Sequence, residues 1–232
     1  MLDPLQLTGR SDSHIREFQF ADGTTFRAHS EAAFAFLRMR EAAAAERIDL
    51  RPASAFRSFD AQLGIWQRKW RGELPLYDAT GRQIDDSTLD DAGRVSAILE
   101  WSALPGASRH HWGSDFDVFD QAALPNGYRL QLLPEEYAAE GIFAYLSQWL
   151  DQNMARFGFF RPYDAERGGL HPEPWHLSYA PVSQSALASL SLSLLEEAIL
   201  PAELPGKSIV LNRLAAIHAS QVCLVSNANA LA

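Results

Sequence analysis

The sequence predicts an α+β fold, in which a small antiparallel sheet is surrounded by helices. Acidic and apolar side chains alternate at the start of residues 115–119, as they do in a strand with one buried face. Residues 158–163 and 171–179 are further strand candidates on either side of a predicted turn at 164–169. Elsewhere, apolar residues recur at the spacing of amphipathic helices that cover such a sheet.

The first elements are a hairpin and a helix. Residues 21–23, Ala-Asp-Gly, separate two short runs with aromatic residues, which predicts a tight hairpin turn. Ser30 is a candidate N-cap for a helix over residues 31–46. The apolar side of this helix would include Phe34.

The middle of the chain alternates a strand with further helices. Residues 50–56 form a strand candidate, and Ser58 can cap a helix over residues 59–70. Residues 87–101 and 141–157 have apolar side chains at helical spacing, so two more helices are expected there.

Two short segments contain residues typical of a catalytic zinc site. His110 lies seven residues before Asp117, which is too far for one helix but suits a loop and a strand joined by a turn at Gly113. His176 would supply the third ligand and leave a fourth position for water. Glu173, between two prolines, could reach over that water and act as a general base.

These segments resemble the VanY-type D-alanyl-D-alanine carboxypeptidases, a zinc metallopeptidase family whose fold is shared by hedgehog signalling domains. The first motif is Ser-x-His-x-x-Gly-x-x-x-Asp from Ser108 to Asp117, and the second is Glu-x-Trp-His from Glu173 to His176. Residues 54–62 resemble the family's Ser-Gly-Tyr-Arg-Ser-x-x-x-Gln segment. The resemblance implies a hedgehog/DD-peptidase-like fold, a Zn²⁺ cofactor and the ligands and base already named.

The resemblance, which spans roughly residues 30–180, also suggests how substrate is held. It implies that Arg57 grips the substrate carboxylate, although pairing with Asp60 on the surface is an alternative. Gln62 could reach the same cleft or be an ordinary exposed helix residue. Ser108 is a candidate either to bind the carboxylate or to cap the turn.

The chain departs from the family pattern at Asp115, where the family usually has a small residue. The spacing favours Asp117 as the ligand, and Asp115 would then support a ligand or face the substrate. Trp175 would face away from His176 and is grouped with the substrate-binding candidates. His171 is expected at the rim, because a fourth protein ligand would leave no simple place for water.

Composition narrows the classes of partner. The net charge of −9 argues against nucleic acid and against an anionic membrane surface. One cysteine, Cys223, excludes an internal disulfide and a cysteine-rich zinc finger, and it is expected to be buried. No apolar run approaches a membrane span and no signal peptide is visible. We therefore expect a cytoplasmic protein if Met1 is the native start, and a periplasmic one if the chain has been trimmed.

We expect a zinc peptidase domain over residues 1–180 and a helical extension over residues 181–232 that packs on it or forms a homodimer contact. The extension would contain helices over 183–200 and 209–218 and a short strand over 222–225. The expected function is zinc-dependent hydrolysis of the terminal D-alanine amide of peptidoglycan stem peptides or muropeptides, with D,D- or L,D-specificity open. The alternatives are a non-catalytic zinc-binding domain and a hydrolase of another small peptide.

Overall fold

The computed structural model describes residues 1–167 and 169–226. Its strands are Ile15–Gln19 (β1), Thr25–His29 (β2), Leu50–Ser54 (β3), Asp115–Asp120 (β4), Phe159–Phe160 (β5) and His176–Tyr179 (β6). Its α-helices are Pro4–Leu7 (α1), Ser30–Ala45 (α2), Phe59–Trp70 (α3), Asp91–Glu100 (α4), Pro134–Tyr137 (α5), Ala144–Asn153 (α6), Ala180–Ser189 (α7), Leu192–Ile199 (α8), Lys207–Asn212 (α9) and Leu214–Ile217 (α10). The predicted α+β fold is confirmed.

The main sheet is antiparallel and has the strand order β3, β4, β6, β5, while β1 and β2 form a separate hairpin. In the pairing of β4 with β6, Asp117 lies opposite His176. Alternation along β4 buries Phe116 and Val118 in a core on one face of the sheet. The intervening Asp115 and Asp117 therefore share the other face.

Two apolar cores flank the sheet. The hairpin, α2 and α6 pack on the face that carries Phe116. The second core combines α3 and α4 with the C-terminal helices, for example Trp66 and Val95 with Leu195 and Val210. The indole Nε1 of Trp66 also donates to the carbonyl of Pro205, 3.0 Å away. The extension thus covers apolar surface of its own chain, and the predicted homodimer contact has no support in this packing.

Several predicted elements differ from the observed ones for local reasons. The predicted strand at 171–179 begins only at His176, because Pro172 and Pro174 interrupt the ladder that would precede it. Phe34 is 56% exposed, since it lies on the outer side of α2. The predicted helix at 87–101 begins at Asp91, where the side chain of Asp90 accepts a capping hydrogen bond from Gly93.

The predicted C-terminal extension differs most. The single helix expected at 183–200 is two helices, because Ser191 caps the start of a new one. Residues 222–225 are not a strand; Val222 ends a π-helical turn, and Cys223 is exposed rather than buried. The predicted turn at 164–169 includes residue 168, which lies outside the described residues, as do residues 227–232. None of the helices in the described ranges has the length and apolar character needed to cross a membrane.

Candidate metal centre

The structure brings together the three residues that the sequence predicts as metal ligands. One ligand atom each from His110, Asp117 and His176 lies within 4.8 Å of the others, and all three side chains are buried. His110 Nε2 is 3.2 Å from Asp117 Oδ2, and His176 Nδ1 is 3.3 Å from Asp117 Oδ1. Two histidines and one carboxylate that converge on one point form a donor set that zinc uses in catalytic sites.

A tight turn places His110 beside Asp117 and His176. His110 lies in a 3₁₀ turn, Arg109–Trp112, that ends at Gly113 with φ of +66°. A Cβ atom at Gly113 would lie 2.4 Å from Ile15 Cδ1 and 2.6 Å from the backbone nitrogen of His29. Only glycine fits this approach, and β4 begins two residues later.

Hydrogen bonds fix which nitrogen each histidine offers. His110 Nδ1 lies 2.8 Å from the carbonyl of Ala55, and His176 Nε2 lies 3.0 Å from Asp115 Oδ1. A carbonyl and a carboxylate accept, so these nitrogens donate. A metal that displaces the proton shared by His176 Nδ1 and its carboxylate neighbours would then meet the lone pairs of His176 Nδ1 and His110 Nε2 beside Asp117. Outer hydrogen bonds orient ligand histidines in this way in metalloproteins. The donor set therefore fits a zinc ion.

The site also carries the charge that a cation would balance. Burial alone would raise the pKa of Asp117, but His110 and His176 hold it below its ordinary value. Burial alone would lower the pKa of His176, but its carboxylate neighbours Asp115, Asp117 and Glu173 raise it well above its ordinary value. Three carboxylates around two imidazoles favour a bound cation.

Glu173 lies beside this donor set. Its Oε2 is 3.0 Å from His176 Nδ1, and its side chain is only 16% exposed. The backbone nitrogen of Glu173 donates to the carbonyl of Tyr163 at 2.9 Å, which holds the loop before β6 in place. The carboxylate is thus within reach of any water that contacts the metal position.

The donor set opens onto a cleft of about 1240 Å³. Arg57, Ser108, Glu173 and Trp175 line this cleft, together with Lys69. Arg57 Nη2 is 3.9 Å from Asp117 Oδ2, so Arg57 is oriented towards the metal centre rather than towards Asp60 on the surface. Ser108 makes no capping hydrogen bond in the described structure, which leaves its hydroxyl available to the cleft.

Two of the substrate-binding candidates do not line the cleft. Gln62 is buried, and its side chain accepts from Arg57 and donates to the carbonyl of Ala103. Asp115 is completely buried behind His176 and makes no contact with the cleft. The placement of Gln62 among the substrate-binding residues is corrected, because Gln62 holds Arg57 in position. Asp115 matches the alternative in which it supports a ligand histidine.

Two residues of the site are absent from the sequence prediction. Arg109 is buried and donates through Nε to Asp115 at 2.8 Å. Tyr163 packs its ring against His176 with a centroid distance of 5.1 Å. The unusual carboxylate at Asp115 is the signal for Arg109, because a buried acid requires a partner. No sequence signal singles out Tyr163.

The chain resembles known proteins in sequence and in structure. The profile of the family described as "VanY: D-alanyl-D-alanine carboxypeptidase" matches residues 25–182, more than half of the chain. An uncharacterized protein of Haemophilus influenzae is 35% identical over 121 residues, which cover 51% of this chain and 92% of that protein.

Two solved structures have the same fold. The LD-carboxypeptidase LdcB superposes with a TM-score of 0.52 and 24% identity, over 80% of this chain and 77% of that one. A vancomycin-resistance D,D-pentapeptidase VanY, crystallised with Zn(II), superposes with a TM-score of 0.50 and 22% identity, over 82% of this chain and 92% of that one. The sequence profile, the shared fold and the converging His, Asp and His side chains agree, and the chain belongs to the VanY family of D-alanyl-D-alanine carboxypeptidases.

Proposed function

We propose that this protein is a zinc-dependent carboxypeptidase that removes the terminal D-alanine from peptidoglycan stem peptides. The observation that carries the proposal is the convergence of His110, Asp117 and His176 with Glu173 beside them, at the wall of one large cleft. Family membership supports the reaction class. The relative crystallised with Zn(II) supports the choice of metal.

The side chains of the site divide the work of amide hydrolysis. A zinc ion held by His110, Asp117 and His176 would acidify water and polarise the scissile carbonyl. Glu173 accepts the proton of the attacking water and then donates it to the leaving amine. Arg57 binds the terminal carboxylate through charge-assisted hydrogen bonds, which sets the scissile amide next to Glu173.

The size of the cleft supports a peptide longer than a dipeptide. Pockets for small ligands usually enclose about 300–1,000 Å³, and this cleft of about 1240 Å³ exceeds that range. Trp175 and Tyr77 offer apolar walls along it, while Arg129 and Glu135 add charges of both signs. A stem peptide, which contains both alanine methyl groups and charged side chains, suits such a lining.

The alternative is a domain that binds zinc without turnover. Glu173 argues against it, because a structural zinc needs no carboxylate that contacts a ligand histidine and faces a cleft. We therefore favour catalysis. The cellular compartment stays a prediction, which fractionation of cells that express the natural gene would test.

The decisive experiment measures D-alanine release from zinc-loaded protein. Muropeptides that end in D-Ala-D-Ala and tetrapeptides that end in an L,D-bond are supplied separately. We expect Glu173→Ala to lose at least about 100-fold in kcat while it retains one zinc per chain. The control, Glu197→Ala, removes an exposed carboxylate on α8 and should keep full activity.

Each outcome of this experiment has a clear meaning. Preferential release from one substrate assigns the D,D- or the L,D-specificity. Absence of release from both substrates by zinc-loaded wild type would overturn the carboxypeptidase proposal and leave two alternatives, a zinc-binding domain without turnover and a hydrolase of another small peptide. Full activity in Glu173→Ala would overturn the role of Glu173 as the base.

A further inference from the structure

A buried network of charged and polar groups lies directly behind His176. Asp115 is fully buried, and its Oδ1 accepts from Arg109 Nε at 2.8 Å and from His176 Nε2 at 3.0 Å. The other oxygen, Oδ2, accepts from Ser114 Oγ at 2.5 Å. Both oxygens of this carboxylate are therefore occupied, and one of them contacts the ring that faces the metal position.

Arg109 is as enclosed as its partner. Its side chain is 4% exposed, and its Nη2 donates to Ser178 Oγ at 2.5 Å. Ser178 in turn donates to Ser183 on α7, which connects the pair to the next helix. The indole of Trp112 stacks under the guanidinium at 4.8 Å. These contacts hold Arg109 in one position.

Burial of an arginine and an aspartate is costly unless each is paired and hydrogen-bonded. Asp115 does not line the cleft, and Arg109 lines it with a side chain that is only 4% exposed and is already bonded to Asp115 and Ser178. Asp115 contacts the non-ligating nitrogen of His176, and Arg109 contacts Asp115. The orientation of this ring decides whether Nδ1 faces Asp117. An imidazole without this acceptor can rotate about its Cβ–Cγ bond and turn Nδ1 away.

We propose that Arg109 and Asp115 act as one positioning unit that holds His176 with Nδ1 towards the metal. The inference rests on the proposed zinc site and concerns zinc affinity rather than turnover. Asp115 accepts the Nε2 proton of His176, and Arg109 and Ser114 prevent that carboxylate from turning. Asp115 is a positioning residue, and so is Arg109, because each acts through His176.

The test measures the dissociation constant for zinc by competition with a chromophoric chelator, together with unfolding of the metal-free protein. The double variant Arg109→Met/Asp115→Ala removes both charges and keeps most of the buried volume. We expect it to fold and to bind zinc about 10- to 100-fold more weakly. The control, Asp120→Ala, removes a buried carboxylate from the far end of β4 and should bind zinc as wild type does.

If Arg109 and Asp115 only stabilised the fold, their removal would leave the zinc affinity of the folded protein unchanged. If the double variant folds and binds zinc within about twofold of wild type, the inference is overturned. If the double variant does not fold, Arg109→Lys decides, because lysine keeps the charge but loses the branched geometry that contacts Asp115 and Ser178 together. Unchanged zinc affinity in that folded variant would overturn the inference, and a several-fold loss would support it.

The experiment separates this inference from the proposed function. Wild type that binds zinc but releases no D-alanine contradicts the carboxypeptidase proposal alone, and the affinities of the variants still decide the role of Arg109 and Asp115. Wild type that binds no zinc overturns both.

Discussion

Gln62 fixes the guanidinium of Arg57, whose Nη1 donates to Gln62 Oε1 across 2.8 Å. The second arm of the guanidinium, Nη2, donates to Ser54 Oγ at 2.9 Å. Gln62 is itself held by the carbonyl of Ala103 at 2.7 Å. The cation that faces the cleft is thus oriented before substrate arrives, which lowers the entropy cost of binding a carboxylate.

Separate substitutions of Arg57 and Gln62 should distinguish two effects: binding of the substrate carboxylate by Arg57, and orientation of Arg57 by Gln62. We expect Arg57→Ala to lower kcat/KM by roughly 30- to 1,000-fold, or about 2–4 kcal/mol, because a charge-assisted contact is lost. Gln62→Leu should lower kcat/KM by about 10-fold, since the cation of Arg57 remains but is less well held. The control, Gln67→Leu on the same helix, should have little effect, because Gln67 contacts the carbonyl of Glu203 instead. Equal losses in Gln62→Leu and Gln67→Leu would contradict the orienting role.

Gly113→Ala should destabilise the fold by about 2–4 kcal/mol. The new Cβ would overlap Ile15 and the backbone of His29 while φ stays at +66°. Gly23→Ala is the matched control, since Gly23 has φ of +87° but open space around its Cβ position, and about 1 kcal/mol is expected there. Denaturant unfolding measures both, and equal losses would show that backbone strain alone acts at Gly113.

The two histidines should bind zinc through different ring nitrogens. His110 donates its Nδ1 proton to Ala55 and would bind through Nε2, whereas His176 donates its Nε2 proton to Asp115 and would bind through Nδ1. Proton–nitrogen correlation spectra of the imidazole rings in zinc-loaded protein distinguish these tautomers. Two histidines that both bind through Nε2 would contradict the hydrogen bonds behind the rings.

Lys69 should make stability depend on alkaline pH. Burial lowers the pKa of Lys69 from 10.5 to about 8, with a partial offset from Glu173. The unfolded chain therefore binds the Lys69 proton more tightly than the folded protein does. Below pH 8 the charged Lys69 lowers the free energy of unfolding. This cost disappears as the pH rises from 8 towards 10.5.

Lys69→Met should therefore stabilise the protein by about 1–3 kcal/mol at pH 7, and by less at pH 9.5. Denaturant unfolding at the two pH values, with the same metal load, measures the difference. Arg68→Met, which removes the exposed cation next to it, is the control and should show no such pH dependence. A stabilisation that is equal at both pH values would attribute the gain to apolar packing.

The sequence identifies the metal donors because their spacing depends on local geometry. Strand alternation puts Asp117 on the polar face of β4, and the turn at Gly113 brings His110 back to the same side. The helix predicted from residue 59 to about residue 70 is observed at Phe59–Trp70, and the side chain of Ser58 caps its start as predicted. Each of these features can be predicted because it depends only on residues that are close together in the sequence.

The errors concern contacts between distant parts of the chain. Gln62 is turned away from the cleft by its bond to the carbonyl of Ala103, 41 residues away, and Asp115 is covered by His176, 61 residues away. Sequence spacing does not reveal either partner. The C-terminal helices break at Leu190 because His218, 28 residues away, contacts the Leu190 carbonyl while Ser191 begins a new cap. Tertiary contacts of this kind override a continuous apolar pattern.

The second core has a consequence for the unit that folds. The segment that matches the family ends at residue 182, but Trp66, Val95 and Ile98 within it are covered by side chains such as Leu195 from beyond that point. A fragment cut at residue 182 would expose a large aromatic and aliphatic surface to water, and such surfaces promote aggregation. We therefore expect the catalytic segment and the helices that follow it to fold, and to evolve, as one cooperative body.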